Sequence, residues 1–174
     1  MALSLNTGER AQRKTLITVA EWVTGVGTTN QTTNREILGV RTEDSSIELN
    51  ADIETITDIL GITYTDVNKT EPQQTFDPFV IRGGSALAEY LSQAVLENDI
   101  SAYNNVFNVY IIAAYINEGV SSYYAVKHEG CSIIPTSIGG DSWVNMPLEV
   151  HFSNKITVGT VDSLSDSFSF TAAA

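Results

Sequence analysis

Between Glu43 and Asp66 the sequence places seven carboxylates (Glu43, Asp44, Glu48, Asp52, Glu54, Asp58 and Asp66) and no lysine or arginine. Carboxylates at i and i+2 on a strand lie roughly 7 Å apart on one face, a separation that suits acid–base work on a glycoside inside a sugar cleft. Nothing else in the sequence suggests such a cleft. As a calcium site, the acids lack the DxDxDG spacing and its glycine. As a plain solvated face they meet a physical difficulty: two like charges at roughly 7 Å in water repel by about 0.6 kcal/mol, a repeated cost that ordinary surfaces avoid by interspersing lysine. The pattern implies a face kept negative for a reason.

Nucleophilic chemistry has weaker candidates. His128 and Cys131 are three residues apart, which on a regular strand sends them to opposite faces and argues against a Cys/His pair. The single cysteine excludes an intrachain disulfide framework and reads as a small core residue. No HExxH, GxGxxG, GxSxG or Walker-type glycine loop occurs, so the chain reads as non-enzymatic, with no catalytic residue, metal ligand or cofactor. Trp22, Trp143, Tyr123 and Tyr124 offer stacking surface for a sugar or base, but aromatics at strand spacing more often form core or subunit interface.

These residues fall mostly on segments with strand character. Short runs rich in Thr, Ser, Val and Ile are broken by Gly, Asn and Asp, the signature of a β-rich chain. Residues 15–23 form an apolar strand, followed by a polar loop over 25–34. From 44 to 54 the even positions are polar and Ile47, Leu49, Ala51 and Ile53 apolar, which predicts one half-buried strand with a carboxylate ladder on its outer face. Residues 144–152 alternate in the same way, with Pro147 marking an edge or bulge. Residues 106–116 are apolar on both faces and predict a strand covered on both sides; 121–134 predict another, kinked at Gly130. Ser85 followed by Leu87, Leu91, Ala94 and Val95 predicts one amphipathic helix over 86–97 whose apolar stripe covers the sheet. The stretch 63–84, polar at its centre and carrying Pro72 and Pro78, predicts a long functional loop.

With 174 residues, 43% apolar and 17% charged, the chain is expected to be a single domain. A net charge of −12 repels phosphate backbones and anionic lipid, excluding tight nucleic-acid readout but not a surface past which nucleic acid slides. The N-terminus lacks the basic and apolar regions of a signal peptide, and no apolar run is long enough to span a bilayer, so synthesis in the cytosol is expected.

In that order (an N-terminal strand, the acidic stretch Asp44–Glu54, Thr57–Thr63, the loop ending in Gln74–Phe79, the helix from Ser85, then Ile134–Gly140 and Thr157–Val161) the chain resembles the tail tube, or major tail, proteins of long-tailed bacteriophages over about residues 15–162. The resemblance implies a β-sandwich or barrel with one flanking helix; a mobile N-terminus over about 1–12 and a small-residue tail at 171–174 are expected to bound the domain. It further implies hexameric rings stacked into a virion tail tube assembled in the host cytoplasm. Its partners are then the tape measure protein, the tail terminator and baseplate or tail-tip proteins, with DNA passing through the bore unbound. Asp44, Glu48, Asp52 and Glu54 are the candidate lumen-lining acids. Asn68, Lys69, Glu71, Gln73, Gln74, Phe76 and Phe79 are the candidate contacts of a loop reaching the adjacent ring. Tubes of contractile tails and tailocins share these features. The alternative is a secreted β-sandwich binding module with calcium or glycan affinity, against which the absence of a signal peptide counts.

Overall fold

Two long antiparallel strands, spanning residues 107–119 and 122–135, organise the molecule. The computed structural model describes residues 2–3, 5–40, 42, 45–119 and 121–173, with the backbone alone at 2, 3 and 117–119. Its strands are β1 (Ala2–Leu3), β2 (Leu16–Thr24), β3 (Thr32–Ile37), β4 (Ile47–Glu48), β5 (Asp52–Thr57), β6 (Thr63–Lys69), β7 (Gln73–Phe76), β8 (Phe107–Gly119), β9 (Ser122–Pro135), β10 (Leu148–His151), β11 (Ile156–Val161) and β12 (Phe170–Ala172). One helix, α1 (Ala86–Glu97), flanks them. The fold is mainly antiparallel β with one flanking helix.

Strand β9 serves two layers. Its first half pairs with β8 on one side and β11 on the other, and its second half pairs with β10. The first layer runs β3-β2-β8-β9-β11-β12, and the second runs from β9 through β10 and β7 to β4. The turn between layers is made at Gly130, which has φ 75°. Opposite it the register jumps from Phe107–Cys131 to Asn108–Glu129, leaving Gly130 as the extra residue of a bulge. The kink expected from the sequence is therefore present. The bulge also corrects the reading of His128 and Cys131: with one residue looped out, both side chains are buried on the inner side.

Alternation along β2 and β8 fills two cores. Ala20, Trp22, Phe107 and Val109 point between the layers, where they meet Phe76, Ile133, Met146, Leu148 and Val150. Leu87, Ala88 and Leu91 of α1 close this cluster, as the amphipathic stripe predicted. Val19, Tyr110 and Ile112 point the opposite way and are capped by Val161 and Phe168. Strands buried on both faces read as continuous apolar runs, which is the pattern over 106–116. The helix starts where predicted: Ser85 Oγ accepts the Ala88 N–H at 3.2 Å. Glu36 on β3 adds a second cap, accepting from Ser85 Oγ at 2.6 Å and from the Leu87 N–H at 3.0 Å.

Two further expectations fail. Residues 44–54 are not one half-buried strand: Asn50 adopts φ 44° and separates β4 from β5, and Leu49 and Ile53 are about 60% exposed instead of facing a core. Period-2 alternation records only that a strand has two unlike faces; it does not say whether the same chain covers the apolar one. Nor is 63–84 a continuous loop, because β6 and β7 lie within it. Backbone pairing to β5 and β10 satisfies segments whose side chains alone looked too polar for a sheet.

Candidate assembly interface

Among the described residues, strands β5 and β6 pair only with each other. Every residue of both is exposed. Their register places Ile53 opposite Val67, Glu54 opposite Asp66, Thr55 opposite Thr65, Ile56 opposite Tyr64 and Thr57 opposite Thr63, with a bulge at Asn68. Opposed residues share a face, so one side carries Ile53, Val67 and threonines and the other carries Glu54, Asp66, Ile56 and Tyr64. The tip is built by Asp58, whose Oδ1 accepts the Leu60 and Ile62 N–H groups at 2.8 and 2.9 Å. Gly61, at φ 78°, completes the turn. This leaves Ile59 wholly in solvent, at 102% exposure, with Leu60 beside it at 78%. Eight of the seventeen exposed large apolar side chains among the described residues fall between Leu49 and Val67; the hairpin is therefore the main uncovered apolar surface.

The predicted acids divide between two elements. Glu48 is exposed on β4, at the edge of the second layer beside β7. Asp52 and Glu54 are exposed on the hairpin, Asp52 opposite Lys69 and Glu54 opposite Asp66. Asp44 lies outside the described residues. The break at Asn50 thus removes the single ladder, although all three described acids remain at the surface.

The predicted loop contacts divide too. Asn68 and Lys69 end β6. Lys69 pairs with Glu71 at 2.6 Å, which lowers the Glu71 carboxyl and raises the Lys69 ammonium. Gln73 sits on β7, half-buried. Gln74, Phe76 and Phe79 are interior residues, so they are withdrawn as contacts made to another ring. Gln74 is fully buried, and its Oε1 accepts the Thr18 hydroxyl at 2.9 Å. Phe76 and Phe79 belong to the core between the layers. In the sequence these two phenylalanines, flanked by prolines and polar residues, looked like anchors on a loop; pairing of β7 with β10 turns Phe76 inward instead, and beyond β7 the Phe79 carbonyl accepts the Met146 N–H at 2.9 Å. The residues missed by the sequence reading are Ile59, Leu60 and Ile62, an apolar run beside a glycine whose exposure only the isolated hairpin reveals.

Cys131 Sγ donates to the His128 carbonyl at 3.6 Å, and burial pushes the thiol up. The His128 ring packs on Phe152, and its Nδ1 lies 2.9 Å from the Ser153 carbonyl. Among the described residues no group of three His, Cys, Asp or Glu is placed to hold a metal ion, and no helix is long and apolar enough to cross a membrane. A cleft of about 580 Å³ lies between the turn after β2 and the C-terminal half of α1.

No protein-family model matches the sequence, and neither does any curated protein. Among solved structures the chain is similar to a chain of the anti-feeding prophage baseplate, at 12% identity and a TM-score of 0.49, covering 88% of this chain and 97% of that one. It is also similar to a chain of the anti-feeding prophage tube-terminating cap, at 14% identity and a TM-score of 0.46, covering 92% and 99%. A chain of the sheath–tube complex of an extracellular contractile injection system matches at 12% identity and a TM-score of 0.40, covering 89% and 88%. Likeness at this level assigns no function by itself.

Proposed function

We propose that this chain is a structural protein that self-associates into stacked rings forming the tube of a phage tail or a related contractile injection apparatus. The observation that carries the reading is the β5–β6 hairpin. A two-stranded hairpin is marginal in water without a further strand or layer, and this one leaves both outer edges unpaired, together with the apolar side chains between Leu49 and Val67. Open edges and contiguous apolar surface are aggregation hazards in a monomer and assembly surfaces in an oligomer. Ring closure pairs the edges, and ring stacking covers the tip.

On this reading six copies form a ring, as the sequence resemblance implies, and the bore passes DNA. Glu48, Asp52 and Glu54 face the bore. The Glu54–Asp66 opposition supports this assignment: like charges directly across a hairpin are unfavourable, and a repulsive lumen gives the pairing a use. The tape measure protein occupies the bore before ejection, and terminator and baseplate proteins cap the two ends. Electron microscopy of the purified chain over a concentration series tests the reading. Hollow tubes with a constant ring repeat are expected, and a strictly monomeric protein at every concentration overturns it.

A further inference from the structure

A groove of about 310 Å³ runs between the helical turn Arg13–Thr15 and the chain that follows β3. Leu16, Ile17, Ile37 and Val40 give it aliphatic walls, and Arg13 and Lys14 are the only charged residues among its described lining. The Arg13 guanidinium is fixed at the rim, donating to the Leu16 carbonyl at 2.5 Å and to the Ser45 carbonyl at 2.6 Å. The ion pairs among the described residues all lie elsewhere, so neither cation has a carboxylate partner. Ser45 also lines the groove; it is 5% exposed, and its Oγ has no hydrogen-bond partner among the described residues. A buried hydroxyl left unpaired is costly. Two unpaired cations and an unpaired hydroxyl beside aliphatic walls call for an occupant that joins branched apolar side chains to an anionic oxygen.

The tip of the β5–β6 hairpin has that composition. Ile59 and Leu60 project into solvent, and Asp58 beside them is the only charged residue between Glu54 and Asp66. Its Oδ1 serves the turn, which leaves the second carboxylate oxygen for an outside donor. The sizes agree as well: an apolar cavity of about 150 Å³ holds one benzene, so this groove takes two branched aliphatic side chains. Charge selects the groove over the larger cleft beside α1, whose Glu97 and Asp99 would repel Asp58. The turn is already fixed by its hydrogen bonds, so the tip loses little freedom on docking. Within one copy the tip stands wholly in solvent, and the surface that receives it belongs to a neighbour.

We infer that the hairpin tip of one copy seats Ile59 and Leu60 in the Arg13–Val40 groove of a second copy, with Asp58 set against Arg13 and Lys14. Tip and groove are different surfaces, so the contact is head-to-tail and repeats from copy to copy. The inference rests on the self-assembly reading above and names the surface that receives the hairpin.

Cross-linking tests it directly, because the chain's own Cys131 is buried. Ile59→Cys and Val40→Cys, both at exposed positions, are made in separate copies, mixed at assembling concentration and mildly oxidised. A disulfide dimer with one of each is expected. Ile59→Cys mixed with Trp143→Cys, exposed but outside the groove lining, should give on the order of ten-fold less. Leu60→Asp and Lys14→Glu also alter exposed side chains, and each should raise the concentration required for assembly on the order of ten-fold. Asp58→Asn keeps the acceptor that builds the turn and removes the charge, so its assembly should depend less on salt than the parent's. Tubes of Lys14→Glu and Leu60→Asp at the parent's concentration, or cross-linking no greater at Val40 than at Trp143, overturn this contact while leaving the assembly reading in place. So does an internal disulfide in the double variant Ile59→Cys, Val40→Cys at a dilution where the parent is monomeric, since the hairpin then folds onto its own copy. A parent protein that never associates overturns both.

Discussion

Arg35 and Glu21 face each other directly across the β2–β3 register, with Arg35 Nε 2.6 Å from Glu21 Oε2. Glu21 is buried and also accepts from Asn108 Nδ2 at 2.9 Å and from the Tyr110 hydroxyl at 3.2 Å. The other arm of Arg35 donates to the Phe168 carbonyl at 2.7 Å, and its guanidinium lies over the Phe168 ring. One ion pair thus joins the first layer to the segment that covers the second core.

Removing one partner leaves a buried, uncompensated charge, which costs about 3–5 kcal/mol. Arg35→Met is therefore expected to lower the urea midpoint strongly and to speed amide exchange around Phe168 and Phe170. Pairing it with Glu21→Gln should recover much of the loss, since no lone charge then remains. Equal destabilisation in the single and double variants would show that the pair acts only through packing.

Tyr110 gives the fold an alkaline limit. Burial first, and the neighbouring Glu21 charge second, push its phenol up to about 12. The unfolded chain loses this proton near the ordinary value of 10, so between 10 and 12 the folded state holds more protons. Stability from this group is complete below pH 10 and falls as pH rises, by up to about 1.4 kcal/mol per unit. Tyr110→Phe should flatten that part of the stability profile relative to the parent.

Glu129 works in the opposite direction. Its hydrogen bonds to Lys127 and Lys155, at 2.8 and 2.5 Å, hold the carboxyl down at about 2. What it contributes is present above the ordinary carboxylate value and is lost as pH falls through that range toward 2. In Lys155→Ala, carboxyl-detected NMR should find Glu129 titrating at higher pH, still below the ordinary value because Lys127 remains.

Replacing residues 53–67 by a two-glycine turn separates fold from assembly. None of these side chains is buried, so the melting transition should change by no more than about 1 kcal/mol. Assembly should be lost. Tubes of normal length from this variant would mean that the hairpin is not an assembly element.

The triple variant Glu48→Lys, Asp52→Lys and Glu54→Lys tests the bore. All three positions are exposed, so folding should be unaffected. At a Debye length of about 8 Å, rows of charge inside a channel are poorly screened, and tubes of the variant should retain DNA in a salt-dependent manner that parent tubes do not show. Retention equal to that of the parent, or DNA held only on the outer wall, would place these acids elsewhere.

Local pattern suffices for the elements whose residues repeat the geometry of a fully buried interior. The helix with its Ser85 cap, the doubly apolar 106–116 strand and the kink at Gly130 each follow from side-chain periodicity or from one residue's backbone freedom, both local properties. Which strand pairs with which is set by contacts distant in the chain. Gln74 and Phe76 became interior because β7 docks on β10, more than seventy residues further along the chain, and Phe79 because its backbone bonds to Met146. Leu49 and Ile53 stayed outside because Asn50 turns the chain away from the second layer. The bulge at Gly130 brought His128 and Cys131 to one side against the plain period of two. Periodicity states that a face is apolar, whereas the long-range pairing of strands decides whether that face is closed by the same chain or left for another copy.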